Sequence, residues 1–235
     1  MERIRPDVYR MEGLMANVYL LVSDGELALV DGGMARDADP IVTQIEDGGY
    51  DPSALASILV THAHGDHIGS VQALAQRFEA DVIAHRAEAP YLEGTDSMPA
   101  RGLLKTLAGW VSDLMARESE GIDVTIRVEE GETLDILGGL QVIHTPGHTP
   151  GSMVLYQPER KILFCGDLIV NGHPLTGRGG LQLAPRLFSV DPREVERSVQ
   201  KLADLEVRTL CGGHGAPILR ESGIKLGTLL REARA

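Results

Sequence analysis

The sequence is poor in cysteine, in aromatic residues, in positive charge and in long apolar runs, and each shortage removes a class of protein. Cys165 and Cys211 are the only two cysteines in 235 residues, too few for a disulfide framework, so both read as buried reduced thiols. One Trp, five Tyr and three Phe are too few for the stacking surfaces that hold single-stranded bases. Lys and Arg number 22 against 34 Asp and Glu, a formal charge of −12, which offers no footprint for a phosphate backbone. The expected partner is a small molecule, not nucleic acid. No apolar stretch approaches the roughly 20 residues of a membrane helix, and the opening MERIRPDVYRMEG lacks the apolar centre of a secretory signal. No membrane contact is therefore expected, and the expected location is cytoplasmic. What remains, 43% hydrophobic and 24% charged, is the composition of a packed globular protein.

Turn signals divide the chain into strands and helices with no Ser/Pro-rich linker, which predicts one domain over 1–235. Asp24-Gly25 between NVYLLV and LALVD predicts a hairpin. Residues 40–46 read as a short helix, and ASILV as a strand running into THAHGDHIG. Ile68, Val71, Leu74, Ala75 and Phe78 follow at helical spacing, and DVIAH closes this unit as a strand. Residues 86–121 read as a helical insertion in which Leu103, Leu104, Leu107, Trp110, Val111, Leu114 and Met115 share one face. The helix 101–117 is expected to pack that stripe on the domain; a lid over the site or a dimer surface are the alternatives, so a homodimer stays open. VTIRV, TLDIL, LQVIH, SMVLYQ and KILFC then read as strands, and 169–188 as a long loop. Asp191-Pro192 reads as the cap and first turn of a helix, VRTLC as the last strand, and a helix starts at about Glu221. Strands in two groups, each followed by helices, suggest a sandwich of sheets with helices outside.

Four of these strands end in residues that can ligate a metal: ASILV before Thr61-His62-Ala63-His64-Gly65-Asp66-His67, LQVIH before Thr145-Pro146-Gly147-His148, KILFC before Gly166-Asp167, and VRTLC before Gly212-Gly213-His214. Loops at strand ends can converge while rigid strands hold them. His62 and His64, alternate residues of an extended loop, point to one side and can share an ion. Asp66 and His67 enter the following helix and face a neighbouring position that suits a second ion. Imidazole and carboxylate are borderline-to-hard donors for zinc, manganese or iron. Three histidines and an aspartate within six residues are costly to bury together without an ion, whereas His85 and His144, alone on apolar strands, read as core. Asp31 ends LALVD before Gly32-Gly33 and reads two ways: as a carboxylate that orients the histidine loop, or as a turn-forming residue.

These segments resemble the metallo-β-lactamase superfamily. VDGG at 30–33, THAHGDHIG at 61–69, HTPGHTPGS at 144–152, FCGDLI at 164–169 and GGHG at 212–215 lie in that family's order. The resemblance implies an α+β fold, an αββα four-layer sandwich of two mixed β-sheets with outer helices. It also implies a dinuclear site, with His62, His64 and His148 on one ion, Asp66, His67 and His214 on the other, and Asp167 bridging both together with a hydroxide. Two divalent ions, zinc first and iron or manganese as alternatives, lower the pKa of a shared water and polarise a carbonyl. Asp66 and Asp167 are then the catalytic carboxylates, Asp66 also receiving the nucleophile's proton. The implied activity is hydrolysis of a small ester, thioester or lactone, a small-molecule carbonyl substrate.

Departures from individual relatives bear on the substrate. Quorum-quenching lactonases of this length often carry a tyrosine shortly after the bridging aspartate, where this chain reads Asp167-Leu168-Ile169-Val170-Asn171. Glyoxalase II enzymes add a helical domain for the glutathione moiety, and the short stretch after GGHG is not expected to form one. Single-domain persulfide dioxygenases share THxHxDH and use mononuclear iron, which makes that oxidoreductase the alternative; a β-lactamase and a non-catalytic binding protein of the same fold are further ones. His173 and Arg178, in the loop after Asp167, read as solvated residues that would otherwise bind a substrate carboxylate or steady the leaving group.

Overall fold

A computed structural model describes residues 1–99, 121–172 and 179–233. The helix expected at 101–117, His173 and Arg178 lie outside the described residues. The chain divides into two compact units, Met1–Val128 and Glu129–Ala235.

In the first unit, β1 (Glu2–Arg5), β2 (Val8–Arg10), β3 (Tyr19–Ser23), β4 (Glu26–Val30), β5 (Leu55–Val60), β6 (Asp81–His85) and β7 (Ile126–Val128) form one sheet whose spatial order is the chain order. Pairing is antiparallel from β1 to β4 and parallel from β4 to β7. The predicted hairpin joins β3 to β4 through Asp24 and Gly25, whose φ values of 52° and 90° are the backbone an Asp-Gly pair supplies for a two-residue turn. Parallel neighbours need crossovers. Helix α1 (Ala38–Asp47) joins β4 to β5, α2 (Gly65–Ile68) with α3 (Val71–Phe78) joins β5 to β6, and the single turn α4 (Ala89–Leu92) follows β6. Ile41 and Ile45 of α1 and Val71 and Leu74 of α3 pack into one core with Leu29 and Ile58. Ile58, Leu59 and Val60 are all 0% exposed, the unbroken apolar run of a central parallel strand. The histidine loop thus starts from a strand end that is fully buried.

In the second unit, β8 (Thr133–Leu134), β9 (Leu140–His144), β10 (Met153–Gln157), β11 (Ile162–Gly166) and β14 (Thr209–Gly212) form a sheet in the order β14-β11-β10-β9-β8. Only β11 and β14 run parallel. The sequence predicts a full strand at TLDIL, yet only Thr133–Leu134 pair, because Leu137 adopts a φ of +56° and turns the chain early. It predicts one loop at 169–188, yet β12 (Ile169–Asn171) and β13 (Leu181–Leu183) pair as an antiparallel ribbon. Three residues, Leu-Gln-Leu, all half-buried, are too short a run to announce a strand. Asp191 caps α5 (Pro192–Ser198), its carboxylate accepting from Arg193 N and Glu194 N, and the helix tightens into a 3-10 turn at Val199–Leu202. The last helix, α6 (Ser222–Glu232), packs Leu226 and Leu229 with Val195, Val199, Leu163 and Leu210.

Cys165 and Cys211 are buried and unbridged. Burial, reinforced by Cys211 and Asp167 nearby, pushes the Cys165 thiol well above its ordinary range. Among the described residues, no helix is long and apolar enough to cross a membrane.

Candidate metal centre

Beyond Val60 the chain of the first unit carries His62, His64, Asp66 and His67. His62 is 1% and His67 0% exposed, while His64 and Asp66 are half-buried. The chain bends at Thr61 and is extended at His64 (φ −90°, ψ 142°), the residue before α2. The His62 and His64 rings meet edge to face with centroids 4.9 Å apart. One helical turn brings His67 back, its ring 4.2 Å from that of His62 and its Nε2 3.9 Å from Asp66 Oδ2.

Asp31, 2% exposed at the end of β4, sets the proton positions of two of these rings. Its Oδ1 accepts from Thr61 N, and its Oδ2 accepts from both Thr61 Oγ1 and His67 Nδ1, each at 2.8 Å. The Thr61 hydroxyl donates its hydrogen bond to Asp31, so its oxygen, 3.0 Å from His62 Nδ1, accepts from Nδ1–H. Protons held on both Nδ1 atoms leave lone pairs on Nε2, the form of imidazole that binds metal. The same residue makes the turn into Gly32 with a φ of +63°. The two loops are knitted by Gly32 N donating to His67 O at 2.6 Å and Gly69 N donating to Gly33 O at 2.7 Å. A Cβ on Gly69 would overlap the backbone of Met34 and Ala35, so only glycine permits this approach.

In the second unit, Asp167 follows β11 and is 6% exposed. Its Oδ2 lies 3.6 Å from His148 Nε2 and 3.4 Å from His214 Nε2. His148 Nδ1 lies 3.3 Å from Ser189 Oγ, which donates its own proton to Pro185 O. His148 therefore donates from Nδ1 and turns an Nε2 lone pair toward the carboxylate. Two acceptors facing each other in a buried place repel unless a cation lies among them. The chemistry of this donor set, imidazole nitrogen with carboxylate oxygen, fits a divalent ion of the zinc, iron or manganese kind.

Close backbone packing brings these three residues together. Gly147 has a φ of +128°, and a Cβ there would overlap Val195 N at the start of α5. Asp191 N donates to Gly147 O at 2.7 Å and Val190 N to His148 O at 3.0 Å, so the entry to α5 clasps the His148 loop. The parallel pairing of β11 with β14 sets Gly166 beside Gly212. Gly213 N donates to Gly166 O at 2.7 Å and Asn171 N to His214 O at 3.0 Å, which puts Asp167 and His214 at adjacent strand ends.

His85 is buried, as expected of a core residue. His144, expected there too, is half-buried with Nε2 3.0 Å from Pro150 O, because neighbouring β8 pairs only as far as Gln141. Sequence reasoning passes over Thr61, Ser189 and Glu88. Thr61 could have been found from its place directly before His62. Glu88, fully buried, accepts from Ala63 N at 2.6 Å, and nothing near it in the chain announces that role.

A family profile described as the metallo-beta-lactamase superfamily matches residues 11–214. The probable metallo-hydrolase YflN of Bacillus subtilis (strain 168) is 32% identical over 218 residues, 87% of this chain and 82% of that one. The hydroxyacylglutathione hydrolase of Enterobacter sp. (strain 638) is 30% identical over 84% of this chain but 61% of its own length. Among solved structures, metallo-beta-lactamase family protein TTHA1429 from Thermus thermophilus aligns with a TM-score of 0.73 at 22% identity, covering 98% of this chain and 79% of that one. TTHA1623, crystallised in a di-iron-bound form, gives 0.63 at 28% identity over 89% of this chain and 92% of its own. These likenesses show the fold, the α+β class expected from the motifs. Every donor named above lies inside the matched span from Met11 to His214, and the chain belongs to the metallo-β-lactamase superfamily.

Proposed function

We propose that this chain is a hydrolase that holds two divalent ions and cleaves a small ester, thioester or lactone. In this reading His62, His64 and His148 hold one ion, Asp66, His67 and His214 hold the other, and Asp167 serves both. The observation that carries it is what each ring's Nδ1 faces: the Nδ1 atoms of His62, His67 and His148 lie 3.0, 2.8 and 3.3 Å from Thr61 Oγ1, Asp31 Oδ2 and Ser189 Oγ, so Nε2 is the atom each ring has to offer an ion. When bound, a pair of such ions supplies an acidified water and a polarised carbonyl at neutral pH.

The protein's own residues do the rest. Asp167 keeps its carboxylate beside two ring nitrogens, and its burial keeps bulk water from competing for it. Asp66, half-buried and beside His67, takes up on its carboxylate the proton released as the carbonyl is attacked. The Cys165 thiol stays outside the donor set, since burial pushes it well above its ordinary range and disfavours the thiolate. The di-iron form of TTHA1623 supports a count of two and makes iron the alternative to zinc. The hydroxyacylglutathione hydrolase relative supports including an acyl thioester in the substrate class.

Protein purified without added metal should contain close to two ions per chain by elemental analysis. It should hydrolyse members of an ester, thioester and lactone panel, and it should lose that activity and melt at lower temperature after chelation. A single iron with oxygen uptake on a persulfide would replace this reading with a dioxygenase, and penicillin hydrolysis rivalling that of lactones would replace it with a β-lactamase. Asp167→Ala leaving every hydrolytic activity unchanged would refute catalysis at this site.

A further inference from the structure

We infer that Glu88 is a positioning residue for the His62–His64 pair: its buried carboxylate holds the Ala63 amide and so keeps both imidazoles on one side of an extended chain. The inference rests on the reading of His62 and His64 as metal ligands. The parallel ladder of β5 and β6 runs as far as Val60 opposite Ala84. Beyond that point the loop must remain extended for residues 62 and 64 to project together, yet the ladder no longer supplies a strand carbonyl to the Ala63 N–H. A backbone donor in such a place needs an acceptor. The Glu88 side chain supplies it, reaching from just beyond the neighbouring strand to make a 2.6 Å bond from Ala63 N to Oε1.

At 2.6 Å the bond is at the short end for an N–H donor and a carboxyl oxygen. The carboxylate is also well anchored. Glu88 N donates to His85 O at 2.8 Å, and Glu88 O accepts from Tyr91 N and Leu92 N at 3.0 and 3.2 Å. Ala89 and Leu92, which follow it in the four-residue helix Ala89–Leu92, are buried in the core. Arg86 N donates to Val128 O at 2.9 Å, fixing the same turn to β7. A fully buried carboxylate is costly unless it is hydrogen-bonded, so its presence at the one residue between two ligands is informative. Any change in the torsions of Ala63 swings His64 against His62, and their 4.9 Å edge-to-face arrangement would not survive it.

Glu88→Ala removes the acceptor, whereas Glu88→Gln keeps an oxygen at the same reach. Three readouts separate positioning from plain support of the fold: hydrogen exchange of the Ala63 amide in metal-free protein, cobalt(II) titration followed by the visible spectrum, and thermal melting. In the Ala variant we expect faster Ala63 exchange, a cobalt dissociation constant raised about 10- to 100-fold, and altered cobalt bands. The Gln variant should recover most of the affinity. If the Ala variant fails to fold, Glu88→Asp, one methylene too short, takes its place with the same expectation against Gln. An Ala or Asp variant with wild-type cobalt affinity and spectrum, whatever its melting temperature, overturns the inference. So does a Gln variant as impaired as the truncated one. A wild-type chain that takes up no cobalt overturns the ligand reading itself, and this inference with it.

Discussion

Asp31→Asn changes two heavy-atom contacts without changing size, and its cost can be worked through from the hydrogen bonds. Asp31 presents acceptors to three donors: Thr61 N, Thr61 Oγ1–H and His67 Nδ1–H. Asparagine presents one acceptor oxygen and one NH2 group. If its oxygen stays with Thr61 N, the NH2 group faces the Thr61 hydroxyl and His67 Nδ1–H. Two buried donors then lose their acceptor, at about 1–3 kcal/mol each, so the variant is destabilised by about 2–6 kcal/mol. The chain can escape part of this cost by moving the His67 proton to Nε2, which lets Nδ1 accept from the amide. That escape spends the ligand nitrogen, and loss of such an orienting partner typically weakens metal binding about 10- to 100-fold, or about 1.4–2.8 kcal/mol. Urea unfolding of the metal-free proteins measures the first route, zinc titration against a chelating competitor measures the second, and imidazole nitrogen chemical shifts report which nitrogen of His67 carries the proton. An Asn variant matching the parent in stability and zinc affinity, with His67 still protonated at Nδ1, would refute the account of Asp31.

Two other perturbations test the framework around the site. The Tyr50 hydroxyl bonds to that of Tyr9 at 2.8 Å, and this bond, aided by burial and by charge on Tyr9, pushes the Tyr50 pKa from 10.0 up to about 12. The neutral form is favoured by folding, so the contribution is complete below the unfolded value and is lost as pH rises through about 12; ultraviolet titration should show a late tyrosine step that Tyr9→Phe moves back toward 10.0, and an unmoved curve would discard this cause. Gly147→Ala introduces a side chain at a φ of +128° and into the backbone of Val195, which costs about 1–3 kcal/mol from the torsion alone and displaces His148. The variant should lose both stability and zinc affinity in the same titrations, and wild-type values in both would show that the α5 clasp does not set the His148 loop.

Features that depend on neighbours in sequence are legible without the structure, and features that depend on neighbours in space are not. The donors at 62–67 announce themselves because three histidines and an aspartate in one loop have few other uses, and the Asp24-Gly25 turn and the Asp191-Pro192 cap are likewise local devices. The ribbon of β12 and β13 is hidden because each strand has only three residues and is defined by its partner. Glu88 is hidden for a related reason: its function follows from the parallel pairing of β5 with β6, which places the ends of two strands distant in sequence beside one another. Ser189 belongs to the same class, reaching His148 only through the fold of the segment before α5.

The backbone of Asp31 adds a constraint that its side-chain bonds do not reveal. A φ of +63° is a conformation that glycine, asparagine and aspartate enter at low cost and that other residues resist. Glycine at this position would keep the turn and lose the carboxylate, asparagine would keep the shape and turn one acceptor oxygen into a donor, and glutamate would keep the charge and strain the turn. None of these exchanges keeps both the turn and the two acceptor oxygens, so at residue 31 the backbone torsion and the side-chain hydrogen bonds select the same residue.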